Sequence, residues 1–317
     1  MRKGLKIALG VVVAAPVALV VAFFIYSHHA PYEIPARDQP PPELAAGDGG
    51  VQLRYLGVTG YELFDGTTTV LVDPTPTRPA PTVFLTEPLV ADDAYGQTIC
   101  PKADFILVNH THFDHALDVP AIALRTGAKV VGSQSTLNYA QSRGVPVEKL
   151  QLVKPGDHLT LGTFTIDVRH SRHTAIGWME KPWAGVIAKD AGPLRFWEFT
   201  MDETLSFRLE SEGTSVWFHP TSTFAKGEIE GPPAPTLIVG VTGEKPTPEK
   251  VKGVLAEAKP RLVLPTHYDN FFQPMQKGLG LMPMLDFEQV RSEYLAADPK
   301  LTWVVLDYGQ SIRLPLD

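Results

Sequence analysis

The sequence has a single cysteine and few basic residues for its acidic content. Cys100 is the only cysteine among 317 residues, which excludes a disulfide bond within the chain, and we interpret it as a small buried apolar residue. Lysine and arginine number 28 against 35 aspartates and glutamates, so the formal net charge is −7. The absence of a basic stripe argues against a nucleic-acid partner and against attraction of the folded body to an anionic membrane surface.

The first 30 residues differ from the rest of the chain. Their charged residues are Arg2, Lys3 and Lys6, which precede an uncharged run of 20 residues, IALGVVVAAPVALVVAFFIY, at 7–26. A run of this length predicts a membrane-spanning helix, and the basic residues before it predict a non-cytoplasmic body, either periplasmic or extracellular. The alternatives are a cleaved signal peptide, although the run is longer than a usual signal core, and a buried helix.

The sequence predicts three parts: a membrane anchor or signal peptide at 1–30, a linker at 31–50, and one folded domain at 51–317. The linker is rich in proline and has no apolar period, so we expect an extended tether. The domain alternates short β-like runs with helical ones, which indicates an α/β fold. The predicted strands are 52–57, 67–73, 103–109, 128–132, 163–170, 204–211, 215–220 and 236–240, and the predicted helices are 118–127, 134–143, 247–258 and 286–296.

The stretch HTHFDH at 110–115 is the strongest chemical signal in the sequence. It follows the apolar run ADFILVN, so it lies where a predicted strand ends and a loop begins. His110 and His112 are two residues apart and point the same way in an extended segment, where they can bind one metal ion. Asp114 and His115, on the turn that follows, can face a neighbouring ion.

This pattern resembles the HxHxDH hallmark of the metallo-β-lactamase-fold hydrolases. RYLGVTGYELFDGTTTVLVDP at 54–74 also looks like the opening hairpin and turn of one branch, which includes the ascorbate-6-phosphate lactonase and the N-acylphosphatidylethanolamine phospholipase D. The resemblance covers roughly residues 51–317. It implies an αββα sandwich with metal ligands on loops along one edge of two sheets.

The resemblance also implies further site residues. HSRHT at 170–174 offers His173, which fits the family spacing better than His170, and PTHYDNF supplies the last family histidine as His267. Asp114 is expected to orient or deprotonate the attacking water. Asp73 is expected to hydrogen-bond a ligand histidine, with a turn cap as the alternative.

One position departs from the family pattern. Family members carry a bridging aspartate in a strand-ending F-x-G-D-T, whereas SVWFHPTST here has Pro220 in place of the glycine and Thr221 in place of the aspartate. The nearby His219 is open to three interpretations: an unusual ligand, a substrate contact, or a structural residue. A zinc site of His110, His112 and His173 is complete without the bridge, but we expect the second site to be weaker. We therefore predict one or two zinc ions per chain.

Two apolar segments follow the predicted ligands and suggest a substrate pocket, with core packing as the alternative. The leading prediction is a membrane-anchored, zinc-dependent hydrolase of an ester, lactone or phosphodiester bond in a small-molecule or lipid-like substrate. The competing hypothesis is a metal-binding or scaffold protein that has lost catalysis. The sequence does not specify an oligomeric state. The apolar residues are Trp178, Trp183, Phe196, Trp197 and Phe199, then Phe271, Phe272, Met275, Leu279, Leu281 and Met282.

Overall fold

The computed structural model describes residues 31–44, 50–175 and 179–316. The predicted anchor, residues 45–49 of the predicted linker, and Trp178 lie outside them. No helix within the described residues could cross a membrane, since the longest have 11 residues each and a span needs about 20. This finding corrects the predicted membrane-anchored, non-cytoplasmic localisation, which we do not retain.

The described part of the predicted linker, 31–44, is packed on the domain and is not a free tether. Asp38 is buried, its carboxylate accepts a hydrogen bond from Arg291 at 2.5 Å, and its backbone oxygen accepts one from the Val305 N–H at 2.8 Å. The Tyr32 ring meets Phe287 edge to face at 5.9 Å. The absence of an apolar period misled the prediction, because a few specific contacts are enough to hold an irregular segment.

The first of two sheets has seven strands. The antiparallel hairpin of β1 and β2 leads into β3, which pairs in parallel with β4. In the order β14-β1-β2-β3-β4-β5-β6, the strands are Ser311–Arg313, Gln52–Gly57, Gly60–Phe64, Thr69–Val72, Phe105–Leu107, Lys129–Gly132 and Leu150–Leu152.

The second sheet also has seven strands and mixes parallel with antiparallel pairs. The pairs β7–β8, β8–β9 and β9–β10 are antiparallel, whereas the pairs β10–β11, β11–β12 and β12–β13 are parallel. In the order β13-β12-β11-β10-β9-β8-β7, the strands are Thr302–Trp303, Leu262–Thr266, Thr236–Gly240, Thr214–His219, Leu205–Ser211, Phe164–His170 and His158–Leu161.

Seven α-helices lie among the described residues. The longer ones begin at polar caps: Ser133, Thr247 and Asp286 each accept a hydrogen bond from a backbone N–H of the first turn. Numbered α1 to α7, they are Pro81–Thr86, Asp93–Ile99, Phe113–Ala116, Val119–Thr126, Gln134–Ser142, Pro248–Ala258 and Phe287–Ala297.

The two sheets pack face to face between layers of helices, which confirms the predicted αββα sandwich. Tyr61 of the first sheet meets Phe218 of the second, with ring centroids 5.3 Å apart. On the outer face of the first sheet, Ile106 belongs to one core cluster with Ile122 of α4 and Tyr139 of α5. Every predicted strand and helix overlaps an observed one, with ends that agree within two residues.

The topology brings several strand ends to one edge. β3 and β4 are parallel and pair Val72 with Leu107, so the residues that follow them lie side by side. In the second sheet β8, β10 and β12 run in the same direction. The segments that carry the predicted site residues all leave their strands at this edge.

Candidate metal centre

The HTHFDH stretch leaves β4 as a short loop and enters α3. Asn109, directly before it, anchors the loop: its backbone N–H donates to Asp73 Oδ1 at 2.7 Å, and its carbonyl accepts from the Leu205 N–H at 3.0 Å. His112 caps α3, and the first turn of that helix carries Asp114 and His115 to the other side of the site. The change from loop to helix thus divides the motif between two groups of donors.

The first donor group is His110, His112 and His173. Their ring centroids are 4.5 to 4.9 Å apart, and one nitrogen from each lies within 4.8 Å of the others. His110 and His112 are buried, and His173 is partly exposed. The structure therefore brings together the three histidines that the sequence assigned to one site.

Each histidine of this group uses its other ring nitrogen within the protein. His110 Nδ1 lies 2.5 Å from Asn109 Oδ1, His112 Nε2 lies 3.2 Å from the Pro182 carbonyl, and His173 Nδ1 lies 2.7 Å from the Thr174 carbonyl. Such contacts fix the ring and its tautomer, as they do around protein-bound metals. His110 Nε2 is buried and has no hydrogen-bond partner among the described residues, which fits a role as a metal ligand.

The second donor group is Asp114, His115 and His267, whose ligand atoms also lie within 4.8 Å of one another. Asp114 Oδ2 is 3.2 Å from His267 Nε2 and 3.8 Å from His115 Nε2. On its other side, His115 Nδ1 lies 2.8 Å from Asp73 Oδ2 and 2.9 Å from Thr59 Oγ1. Asp73 thus lies against a histidine of the group, where the sequence had suggested it.

The two groups differ in charge. Burial lowers the pKa of His112 to about 3 and of His173 to about 4, and it also lowers that of His110, helped by the neighbouring histidines. For His115 burial alone would lower the pKa, but the carboxylates of Asp114 and Asp73 outweigh it and raise the pKa. Burial would likewise raise the pKa of Asp114, but the charge of His115 and the His267 hydrogen bond lower it.

This donor chemistry fits a metal ion. Three neutral imidazoles in a compact triangle match a catalytic zinc site that leaves one position open, and an ionised carboxylate with two imidazoles can serve a second ion. His110, His112 and His173 would hold the first ion. Asp114, His115 and His267 would hold the second.

Comparison with known proteins places the chain in a family. Residues 52–267 match the family described as the beta-lactamase superfamily domain, which is more than half of the chain. The chain belongs to the metallo-β-lactamase superfamily. The matched range contains the strands β1 to β12 and the HxHxDH motif. The narrower branch suggested by the opening hairpin stays a prediction.

Relatives within this superfamily are described as UPF0173 metal-dependent hydrolases. The one from Symbiobacterium thermophilum is 37% identical over 108 residues, or 32% of this chain and 40% of its own length. The one from Methylobacterium nodulans is 27% identical over 226 residues, or 70% of this chain and 86% of its own length. Over the first four relatives, the match spans between 35 and 45% of their length.

Solved structures share the fold at low sequence identity. Igni18, a metallo hydrolase from Ignicoccus hospitalis, superposes with a TM-score of 0.54 at 18% identity, covering 84% of this chain and 99% of Igni18. The metallo-beta-lactamase fold protein YhfI from Bacillus subtilis has a TM-score of 0.51 at 14% identity, covering 82 and 98%. At these identities the comparison shows that this chain and the two solved structures share a fold.

Thr221, which the resemblance aligns with a bridging aspartate, contributes a hydroxyl group. Thr221 Oγ1 lies 3.1 Å from Ser171 Oγ, and the Thr221 side chain faces the site cavity. Among the described residues that line this cavity the carboxylates are Asp114, Glu244 and Asp286, and of these only Asp114 belongs to a donor group. Within the described part of the cavity lining, Asp114 is therefore the one carboxylate that belongs to a donor group.

The two remaining histidine candidates, His219 and His170, belong to neither donor group. His219 is fully buried, with Nδ1 2.8 Å from Ser206 Oγ and Nε2 2.8 Å from the Thr223 carbonyl, and burial lowers its pKa to about 4. Both ring nitrogens are thus engaged, which favours the structural interpretation over a ligand. His170 is the exposed last residue of β8 and lies 3.3 Å from Glu203, so it belongs to the surface.

A cavity of about 500 Å³ opens over both donor groups. Of the apolar residues singled out from the sequence, Phe199 is buried in the core and Trp197 is partly exposed at the surface. Sequence reasoning missed Phe84, whose ring stacks on Phe196 at 4.3 Å, since α1 is hidden in a proline-rich stretch. The apolar lining includes Phe84, Phe113, Trp183, Phe196, Phe271, Phe272, Met282 and Leu285.

Two residues beside the donor groups were also missed. Thr59 contacts both Asp73 and His115, and Asn109 contacts both Asp73 and His110. Asn109 directly precedes HTHFDH, so its position next to the motif was an available signal. Thr59 had none, because only folding brings the first hairpin against His115.

Proposed function

We propose that this protein is a zinc-dependent hydrolase of an ester, lactone or phosphodiester bond. The observation that carries the proposal is the pair of adjacent donor groups on the floor of one apolar cavity, three neutral histidines beside a carboxylate with two histidines. Its relatives' description as metal-dependent hydrolases supports the same reaction class. His110, His112 and His173 form the principal zinc site of the proposal, and Asp114, His115 and His267 form a weaker one.

Asp114 is the proposed general base. A bound zinc ion lowers the pKa of water towards neutrality and polarises the oxygen of the bond under attack. The Asp114 carboxylate has a lowered pKa and lines the cavity, so it can accept a proton from an attacking water. His267 Nε2, at 3.2 Å, holds that carboxylate in place. The chain thus provides both a metal site and a base on the same cavity floor.

The cavity wall supports a substrate with an apolar group. Phe84, Phe196 and Trp183 form a connected aromatic surface, with the Trp183 ring 5.8 Å from Phe196 and 5.5 Å from His112. A cavity of about 500 Å³ has room for one acyl chain or ring system close to the donor groups. We propose a lipid-like or other apolar ester, lactone or phosphodiester on this basis.

The test is hydrolysis by the full chain, purified, stripped with chelator and reloaded with zinc. Substrates are p-nitrophenyl acetate, p-nitrophenyl octanoate, an N-octanoyl homoserine lactone and bis(p-nitrophenyl) phosphate. We expect one bond class to be cleaved in a zinc-dependent manner, with octanoyl preferred over acetyl esters if the ester is the substrate. Asp114→Asn should lower kcat by about 10² to 10⁴-fold. The exposed Asp190→Asn should change nothing.

The second candidate is a metal-binding protein of the same fold without catalysis. The observation that favours it is Thr221, which leaves the two donor groups without a bridging carboxylate. Stoichiometric zinc binding combined with no turnover of any of the four substrates, in parent and Asp114→Asn alike, would replace the hydrolase by this alternative.

A further inference from the structure

Asp269 is a buried carboxylate outside the two donor groups. It comes two residues after His267 and is 0% exposed. Its Oδ1 accepts hydrogen bonds from the Tyr55 hydroxyl and the Val58 N–H, both at 2.8 Å. Its Oδ2 accepts one from the Tyr308 hydroxyl at 2.9 Å and lies 3.5 Å from Arg78 Nη2. A buried polar group costs free energy unless it is hydrogen-bonded, and the partners of this carboxylate come from three separate segments, so it joins those segments.

The turn between β1 and β2 is the main segment that Asp269 holds. Val58 sits in this turn with φ of 55°, a conformation that a β-branched residue rarely adopts. Its N–H donates to Asp269, and its carbonyl accepts from the His267 N–H at 2.7 Å. His267 also has a positive φ, of 61°. The two residues with unfavourable backbone conformations, Val58 and His267, thus hydrogen-bond to each other. Asp269 accepts a hydrogen bond from Val58 and follows His267 by two residues.

The same turn reaches the second donor group through its next residue. Thr59 Oγ1 lies 2.9 Å from His115 Nδ1 and 3.1 Å from Asp73 Oδ2. A shift of Val58 would therefore move Thr59, which contacts His115, and would also release the backbone of His267. Both histidines of the second group depend on the position of this turn.

Arg78 extends the network to the loop that follows Asp73. Its guanidinium reaches Asp269 past Gly57, where a Cβ atom would lie only 2.5 Å from Arg78 Nη2. It also donates to the carbonyl of Thr75, two residues after Asp73. The glycine is thus required for the arginine to approach the carboxylate, and Asp269 connects all three segments that support the second group.

We propose that Asp269 is a positioning residue for the second donor group, Asp114, His115 and His267. The inference rests on the metal centre of the proposed function and not on its substrate. The first group is held mainly by the side chain of Asn109 and the carbonyls of Pro182 and Thr174, and it is linked to Asp73 through the Asn109 N–H. Loss of Asp269 is therefore expected to disturb one metal site and spare the other.

The experiment is a Co²⁺ titration of the metal-free full chain, followed by the visible absorption bands of the bound ion. Asp269→Asn is compared with Asp38→Asn, which removes another buried aspartate that is paired with an arginine, far along the chain from the donor groups. Both substitutions should lower the melting temperature. Only Asp269→Asn should weaken the second Co²⁺ equivalent, by about 10 to 100-fold, and alter its bands. The bands lost in His110→Ala identify the first site.

The outcomes separate this inference from the proposed function. Equal weakening of both equivalents in Asp269→Asn, or equal effects in Asp38→Asn, overturns the positioning role and leaves only a structural one. A parent chain that binds one equivalent overturns the inference but leaves a one-metal hydrolase intact. A parent chain that binds no metal overturns both.

Discussion

The two donor groups lie on one cavity floor but are built differently. The first consists of three histidines whose low pKa values keep them neutral at pH 7. The second combines an ionised aspartate with His115, whose pKa is raised by Asp114 and Asp73. Metal ions compete with protons for imidazole nitrogens, so protons oppose metal binding more strongly at the second group, where the pKa of His115 is raised, than at the first. The comparison predicts one strong site and one weak site.

The supports of the groups differ as well. Main-chain carbonyls and the adjacent Asn109 orient the first group, whereas the side chains of Asp73 and Thr59 orient the second. A site that relies on side chains from distant segments is more sensitive to substitution. The missing carboxylate at Thr221 adds to this difference, because among the described donors only Asp114 then offsets the charge of two neighbouring ions.

The largest expected effect comes from removal of a ligand of the first group. His110→Ala should abolish binding of the first zinc ion and lower kcat/KM by roughly 10³-fold, since a bound metal supplies several kcal/mol of transition-state stabilisation. The measurement is hydrolysis of the best substrate together with zinc content by mass spectrometry. His170→Ala, at the exposed surface, is the matched control and should retain parental values.

The predicted order of the two sites is contradicted if His267→Ala lowers zinc content and kcat/KM more than His110→Ala does. Full loss of zinc in His267→Ala, with zinc retained in His110→Ala, would make the second group the principal site.

Acidification should empty the second group first. The pKa of His115 is raised above its ordinary value of 6.5, while those of His112 and His173 are about 3 and 4. Between pH 7.5 and 5.5 protons therefore compete at His115 and not at the first group. We expect the affinity for the second zinc ion to fall by at least about tenfold, with the first unchanged.

Zinc content after dialysis at the two pH values measures this loss. Simultaneous release of both ions would show that the groups bind as one unit and that their different charges have no bearing on affinity.

The smallest expected effect is a gain. Thr221→Asp restores a carboxylate between the groups and should tighten the second zinc ion by up to about tenfold, since an added negative charge offsets two neighbouring cations. Isothermal titration with zinc measures the change. Thr223→Asp, two residues further along the same segment, is the control and should leave both affinities as in the parent. An unchanged second affinity in Thr221→Asp would mean that charge at this position does not limit the weak site.

Most regular elements followed from local pattern. Strands such as Thr236–Gly240 and helices such as Gln134–Ser142 have apolar periods and caps that act within a few residues. The elements that local pattern missed were short: the helices α1, α2 and α3 have four to seven residues, and the strands β2, β6, β7, β12, β13 and β14 have two to five. Such elements form because neighbouring strands provide hydrogen-bond partners, which no local pattern records.

The candidate site divides in the same way. Five of the donors were recognisable because HTHFDH and PTHYDNF carry family spacing, and His173 was preferred over His170 on spacing alone. The structure distinguishes the last two by direction: His170 ends β8 at the exposed surface, whereas His173 lies in the loop that turns towards the cavity. His219 was undecidable from sequence, because its role depends on Ser206 and Thr223, which occupy its two ring nitrogens.

The sequence by itself determined the alternation of strands and helices, the candidate donors of HTHFDH, and the threonine at position 221, because each is a matter of residue type and spacing; the αββα sandwich followed from the family resemblance. Only the tertiary structure decided which nitrogen of each histidine remains available, which contacts raise or lower the pKa of each group, and how Asp269 joins the first hairpin to His267. Hydrogen bonds and burial set these properties, in part between residues about 200 positions apart such as Val58 and Asp269, and their geometry exists only in the folded chain.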